Sequence, residues 1–384
     1  MAFYQALGWR QLAHEKKKLL AAVAGIAFSV ALMLMQLGFK DALYMSATLL
    51  HRSFNGELVL TSTQYEAILS TEGISERRLY QSLEDTAVEN VAALRWSLAG
   101  WTNPWTQGRR SILVIAVDPE EGALNLPGLS AETTVLQQPG KLLFDADSRP
   151  EYGPVADALR SGRAVTAELQ RQDFDVVGLT RLGSSFVSDG NVIVSTRAYW
   201  SLFPQSDHDR IDAGVIRLRP GADILAARAR IAAVMPPDTQ VLTRDEFVQL
   251  ETDYWARATP IGFVFMLGTV VGFIVGAVTV YQILYTDVIH HLPEYATLKA
   301  MGWSNRSLSR VVVDQALILS LLGYVPGFFA ALLIYEAAVQ STGVPMEMTV
   351  ARALVVLGLA MLMSVLSALL ALRKVHHADP AEIF

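Results

Sequence analysis

The sequence contains no cysteine. That absence excludes disulfides, thiolate metal sites and cysteine nucleophiles together. It says little about compartment, because a disulfide-free domain of this size can bury its own core. Phosphate-binding chemistry is missing as well. No G-x-x-x-x-G-K-[ST] loop occurs, and Gly140-Lys141 has neither the upstream glycine nor the following hydroxyl residue needed to cradle a triphosphate. Neither H-E-x-x-H nor G-x-S-x-G is present. His290-His291 and His376-His377 are adjacent pairs, and adjacent helical residues point in different directions, so neither makes a good chelate. No catalytic residue, cofactor or metal is expected from these residues.

Charge is also scarce. Only 18% of the 384 residues are charged, against 52% hydrophobic. What replaces charge is long apolar runs. Leu19–Phe39, Thr259–Tyr285, Gln315–Tyr335 and Ala353–Leu372 each reach the roughly 20 residues that cross about 30 Å of hydrocarbon. The first run is longer than the ~7–15 residues of a signal-peptide core and lacks a small-x-small cleavage site, so it reads as an anchor. No acid or base lies deep in a span, which argues against a proton-driven carrier. Gln36, Gln282 and Gln315 are polar but not ionisable, and suit bonds between helices.

Basic residues are unevenly placed. Arg10, Lys16, Lys17 and Lys18 precede the first run, Lys299, Arg306 and Arg310 follow the second, and Arg373 and Lys374 follow the fourth. The positive-inside rule then puts both termini and residues 286–314 in the cytoplasm. Residues 40–258 lie outside, with 21 Lys+Arg against 29 Asp+Glu. An acidic external domain does not suggest nucleic acid.

The expected organisation is an α-helical membrane protein with four transmembrane helices and a large α/β extracytoplasmic domain between the first two. Residues 1–18 form a cytoplasmic amphipathic helix and 19–39 the first span. The external domain is 40–258, with a β-rich subdomain at about 118–210. Residues 259–285 are the second span, 286–314 a cytoplasmic loop, 315–335 the third span, 336–352 a short external loop, 353–372 the fourth span and 373–384 a cytoplasmic tail. Within the external domain, GELVLTS and RSILVIAVD read as strands and SERRLYQSLEDT as a helix. The stretch 212–243 reads strand, turn, helix, strand, with Asp223 as the helix cap. Residues 243–260 read as a helix running to a stop or kink near Pro260. Trp96, Trp101, Trp105, Tyr199 and Trp200 fit core or interface positions.

The loop between the second and third runs contains HHLPEYATLKAMGWSNRSL, residues 290–308. Pro293 and Glu294 suit a first helical turn. Leu292, Tyr295 and Leu298 share one face, and Gly302 can close the helix in the left-handed conformation. Such a short amphipathic helix can plug into a groove on a soluble partner, or lie on lipid. The candidate coupling residues are Leu292, Glu294, Tyr295, Leu298, Lys299, Ala300, Met301 and Gly302.

Four passages carry a resemblance. LGWRQLAHEKKKLLAAVAGIAFSVALMLMQLGFKDAL (7–43), FNGELVLTS (54–62), LPEYATLKAMGWSNRSLSRVVVDQALIL (292–319) and HHADPAEIF (376–384) resemble the permease subunits of ABC exporters of the MacB/FtsX/LolCDE superfamily. The similarity is to the DevC-type permeases of cyanobacteria above all. Where the wider superfamily often reads Arg-Glu-Ile-Gly in the coupling region, Glu294 keeps the acid and Tyr295-Ala296 replace the Ile-Gly. The resemblance implies a non-catalytic inner-membrane subunit, a MacB-like periplasmic domain of two subdomains, and a homodimer surrounded by membrane lipids. It implies three partners: a DevA-like cytoplasmic ABC ATPase, a DevB-like periplasmic adaptor and a TolC-like outer-membrane channel. Its function would be mechanotransmission, relaying ATPase motion to the periplasm to expel a lipid-like or amphiphilic cargo. The alternative it leaves open is an FtsX-like transducer regulating a cell-envelope hydrolase.

Overall fold

The computed structural model describes residues 16–70, 72–129, 133–294, 297, 301–342 and 344–376. Two compact units emerge, one built on four long helices and the other on Leu43–Pro260 with the segment Ser341–Pro345. Of the amphipathic helix expected at 1–18, residues 1–15 lie outside the described residues.

The first element among the described residues is helix α1 (Lys16–Ala47), followed at once by the short α2 (Leu49–Arg52). Strands β1 (Leu58–Ser62) and β2 (Ile74–Ser75) lead to α3 (Glu76–Gln81). A 15-residue strand, β3 (Val88–Thr102), then turns back into β4 (Arg109–Val117). Next come α4 (Thr133–Leu136), β5 (Lys141–Asp145), α5 (Val155–Arg160), β6 (Val165–Leu169), β7 (Gln172–Thr180), β8 (Asn191–Ser195) and α6 (Thr196–Leu202). The unit closes with β9 (Arg210–Ile211), β10 (Ala213–Leu218), α7 (Ile224–Val234), β11 (Thr239–Thr243) and α8 (Arg244–Arg257). Three long helices follow: α9 (Ile261–His290), α10 (Asn305–Thr342) and α11 (Val350–His376).

All four long helices are long and apolar enough to cross a membrane. Their shared core is made by Ile26, Val30 and Met33 of α1, Val280 and Leu284 of α9, Leu319 of α10 and Val356 and Met363 of α11. In lipid there is no hydrophobic drive between helices, so close backbone approach decides packing. At Gly323 and Gly327 of α10 a side chain would collide with Ile26 and with the backbone oxygen of Ala27. Glycine there lets α10 lie directly on α1. Pro326 between them is tolerated because its helix is supported by neighbours.

The second unit is built on a mixed sheet of nine strands, in the order β11-β1-β10-β3-β4-β8-β5-β7-β6, beside which β2 and β9 form a two-stranded antiparallel pair. β3 does two jobs. Residues 88–94 pair with β10, and residues 94–102 pair with β4. Its last two residues, Trp101 and Thr102, also pair with Leu169 and Glu168 of β6. That contact closes β3, β4, β8, β5, β7 and β6 into a ring, whose fully buried residues include Trp101, Leu142, Leu169 and Val192. Segment 118–210 thus supplies four strands of the ring while β3 and β4 supply the other two. A separate core under the open part of the sheet gathers Leu58, Leu60, Leu79 and Ile216.

Local chemistry follows the residues. Asp223 caps α7 by accepting from Ala226 N at 3.0 Å. Thr243 and Glu246 form a reciprocal capping box that starts α8. α8 ends at Arg257 and α9 starts at Ile261, immediately after Pro260. Trp96, Trp101 and Tyr199 are buried in core clusters, and Trp105 is exposed.

Candidate coupling site

The loop between α9 and α10 begins at the last turn of α9. There the carbonyl oxygen of Asp287 accepts from His291 N at 3.1 Å, and His291 Nδ1 lies 2.9 Å from the same oxygen. His290 Nδ1 lies 3.5 Å from Lys18 Nζ, which brings the start of α1 beside the end of α9. The histidine pair is therefore divided between two different tasks. Among the described residues no cluster of three or more His, Asp or Glu is arranged to hold a metal ion.

Leu292, Pro293 and Glu294 are helical. Leu292 packs, with Trp303, against the core of the helical unit, while Glu294 is exposed. Thr297 Oγ1 donates to the Pro293 carbonyl at 2.9 Å, and Met301 N to the Thr297 carbonyl at 3.0 Å, one helical turn each. Met301 is 65% exposed. Gly302 has φ +95°, and a side chain there would meet no atom within 4 Å. Backbone conformation alone, and not space, calls for glycine at this position. Ser304 then accepts from Ser307 N, a hydroxyl cap for α10. Tyr295, Leu298, Lys299 and Ala300 lie outside the described residues. Of the coupling residues read from the sequence, the structure thus places Leu292 on the bundle and leaves Glu294, Met301 and Gly302 at the surface.

Two polar knots escaped the sequence reading. In the sheet unit, Glu251 of α8 is fully buried. Its Oε2 accepts from the Tyr65 hydroxyl at 3.0 Å and from Ile68 N at 3.1 Å, and its Oε1 from Trp255 Nε1 at 2.9 Å. His51 of α2 adds its Nε2, 2.8 Å from the Tyr65 oxygen and 3.3 Å from Glu251 Oε2. Since the Tyr65 proton goes to Glu251, His51 Nε2 is the donor to both oxygens. Phe54 and Phe247 enclose the His51 ring. Burial first, and then the Glu251 charge, push the Tyr65 phenol well above its ordinary range, so it stays a donor. The signal was there: Phe247, Glu251 and Trp255 recur every four residues, which places an acid in the middle of an apolar helix face.

In the helical unit, Arg352 at the start of α11 donates Nη2 and Nε to Asp41 Oδ2 of α1, at 2.7 and 3.2 Å. Its Nη1 reaches the Glu347 carbonyl at 2.7 Å and the Tyr335 hydroxyl of α10 at 3.3 Å. Tyr335 in turn donates to the Leu34 carbonyl of α1 at 2.5 Å. A side chain at Gly38 would collide with the Tyr335 ring, so this glycine clears the path for the contact. Three helices are fastened at one end by a buried guanidinium.

A bundle of four membrane-crossing helices with a large α/β domain carried between the first and the rest defines a membrane subunit of the permease class. Comparison with known proteins agrees. Residues 19–234 match the MacB-like periplasmic core domain, and residues 265–380 the FtsX-like permease C-terminal region. The chain is similar to the periplasmic region of MacB from Actinobacillus actinomycetemcomitans, at 9% identity over 51% of this chain and 92% of that one, TM-score 0.37. It is also similar to the extracellular domain of the noncanonic ABC-type transporter YknZ from Gram-positive bacteria, at 10% identity over 49% of this chain and 100% of that one, TM-score 0.37. The chain belongs to the MacB/FtsX-like permease family. It is an ABC transporter permease subunit, a multi-pass inner-membrane protein of a generally non-catalytic family that works with an ABC ATPase.

Proposed function

We propose that this chain is the DevC-type permease of a tripartite exporter. It acts as a homodimer, with a DevA-like ATPase in the cytoplasm and a DevB-like adaptor leading to a TolC-like outer-membrane channel. Both termini and residues 286–314 face the cytoplasm and residues 40–258 the periplasm, an orientation that the Lys and Arg distribution supports. The spans carry motion and no substrate. Residues 292–302 take that motion from the ATPase, and the periplasmic domains use it to expel a lipid-like or amphiphilic cargo.

The observation that carries this reading is the knot at Glu251. One buried carboxylate fastens the segment that follows the first span to the helix that precedes the second. Motion delivered along either chain segment is then felt by both.

The test is Leu298→Glu. A coupling helix buries Leu298 in the ATPase, and an unpaired charge there costs several kcal/mol, on the order of ~3–5 where burial is complete. ATPase co-purification and export should both fall while adaptor binding persists. Wild-type recruitment and export would remove the coupling role. Co-purification with a cell-wall hydrolase, and with no adaptor or channel, would point to the FtsX-like transducer.

A further inference from the structure

Between α9 and α11 lies a cavity of about 660 Å³, open to the outside of the bundle and well within the ~300–1,000 Å³ range of ligand pockets. Both helices run the same way here: Ala277 stands opposite Ser367, and further along Tyr285 shares the cavity with Arg373. Val278, Leu366 and Leu370 make its apolar walls, and all three are exposed to the surroundings of the bundle. Tyr281 and Tyr285, one turn apart, form an aromatic wall with ring centroids 5.6 Å apart. The floor offers no polar handle, because the Ser367 hydroxyl is taken up by the carbonyls of Ala277 and Met363 at 2.7 and 2.8 Å. All its charge is at one mouth, on Arg373.

We infer that this groove holds one anionic phospholipid, its acyl chain along the tyrosine wall and its phosphate on Arg373. An apolar trough with a single cation at the membrane-edge end has the polarity of that molecule, and tyrosines with an arginine are the residues that settle at the headgroup level. A guanidinium carries five N–H donors in a fork that fits phosphate. The end of the bundle is cationic beyond Arg373. Lys16, Lys17 and Lys18 begin α1 there, with Lys18 against His290 at the end of α9. Basic clusters at this depth attract anionic headgroups. The occupant follows from this charge complementarity, which a hydrocarbon chain alone or a zwitterionic lipid satisfies less well.

The site is independent of the exporter reading, and its test uses the permease alone. The full chain is purified in mild detergent, stripped of lipid and titrated with phosphatidylglycerol or phosphatidylcholine, with bound lipid counted by native mass spectrometry. One phosphatidylglycerol per chain should bind at least tenfold more tightly than phosphatidylcholine. Arg373→Gln should erase that preference, and Leu370→Trp, at an exposed position that fills the groove, should lower the binding of both lipids. Equal binding of the two lipids, or a preference unchanged in Arg373→Gln, would overturn the site. The chain has no cysteine, so Leu366→Cys gives a second readout. Efficient disulfide formation between two copies in native membranes would show that a second chain and not a lipid covers the groove.

Discussion

Tyr65 and Glu251 stand 186 positions apart and meet through a hydrogen bond of 3.0 Å in a fully buried site. The carboxylate has three donors besides His51, and its two oxygens are divided between them. Glu251→Gln keeps the shape but replaces one acceptor oxygen by an NH2 group that faces a donor. Each donor left unsatisfied costs about 1–3 kcal/mol. Glu251→Ala abandons all of them and also opens a void. We expect the melting temperature of the detergent-purified chain to fall in the order wild type, Gln, Ala. A melting temperature for Glu251→Ala equal to wild type would mean that the knot contributes nothing.

The Asp41–Arg352 pair predicts an asymmetry. Arg352 is 6% exposed and Asp41 43%. Removing the acid strands a buried guanidinium, whereas removing the arginine leaves an acid that water can reach. Asp41→Ala should therefore destabilise more than Arg352→Met, by an amount at or below the ~3–5 kcal/mol of a broken buried pair. The double variant should recover part of the loss. Thermal unfolding of the three variants measures it, and a double variant worse than Asp41→Ala would reverse the argument.

Asp212 predicts a pH dependence. Burial raises its carboxyl to about 6, against the opposing pull of the Trp96 N–H, Arg95 and Arg210. The unfolded value is near ~3.9. Between those two values the folded chain binds the proton that the unfolded chain has lost, so this group makes stability fall as pH rises from about 4 to 6. Above that window the ionised form is a standing penalty of up to about 2–3 kcal/mol. Asp212→Asn keeps an acceptor for Trp96 N and should flatten that part of the stability profile, raising stability at pH 7. A profile identical to wild type would sink the assignment.

Gly302 separates conformation from crowding. With open space around it and φ +95°, Gly302→Val meets no clash and still adopts a backbone that costs on the order of ~1–3 kcal/mol for an L side chain. Gly302→Asn, with a residue more at ease at positive φ, should be milder. Recruitment of the ATPase should rank Gly, Asn, Val. Equal recruitment by all three would mean that the end of this helix plays no part in docking.

Topology can be read with single cysteines. Asn305→Cys should resist a membrane-impermeant thiol reagent in cells with a permeabilised outer membrane, while Thr106→Cys, on the exposed turn between β3 and β4, should react. Labelling at position 305 would invert the orientation.

Much of this fold was legible because local signals and global structure agree. The four spans are long uninterrupted apolar runs, and Asp223 caps α7 where the sequence places it. β3 was not legible. Its first half alternates between two cores, with Ala92 and Leu94 on one side and Val91 and Ala93 on the other, so no polar face marks the period. The return contact of Trp101 on Leu169 is a long-range pairing with no sequence signature of its own. The candidate coupling segment shows the opposite pattern. Its periodicity and closing glycine are local and easily read, but whether Leu292 turns to a partner or to its own bundle depends on where α9 and α10 lie. The Arg352 knot was hidden because a lone arginine in a short loop reads as surface until Asp41 and Tyr335 arrive from other helices.

β3 also sets how the sheet unit can be taken apart. The chain enters the closed ring from the open sheet without a linker, along one continuous 15-residue strand, and returns through the irregular segment 203–209 between α6 and β9. Domains usually part at exposed connections that few contacts cross, and here only the return segment is of that kind, while the crossing at Leu94 of β3 is paired to both β10 and β4. A nick within β3 deprives the ring of a stave or the open sheet of its partner for β10. Limited proteolysis of the native chain should therefore never release the ring as a stable fragment.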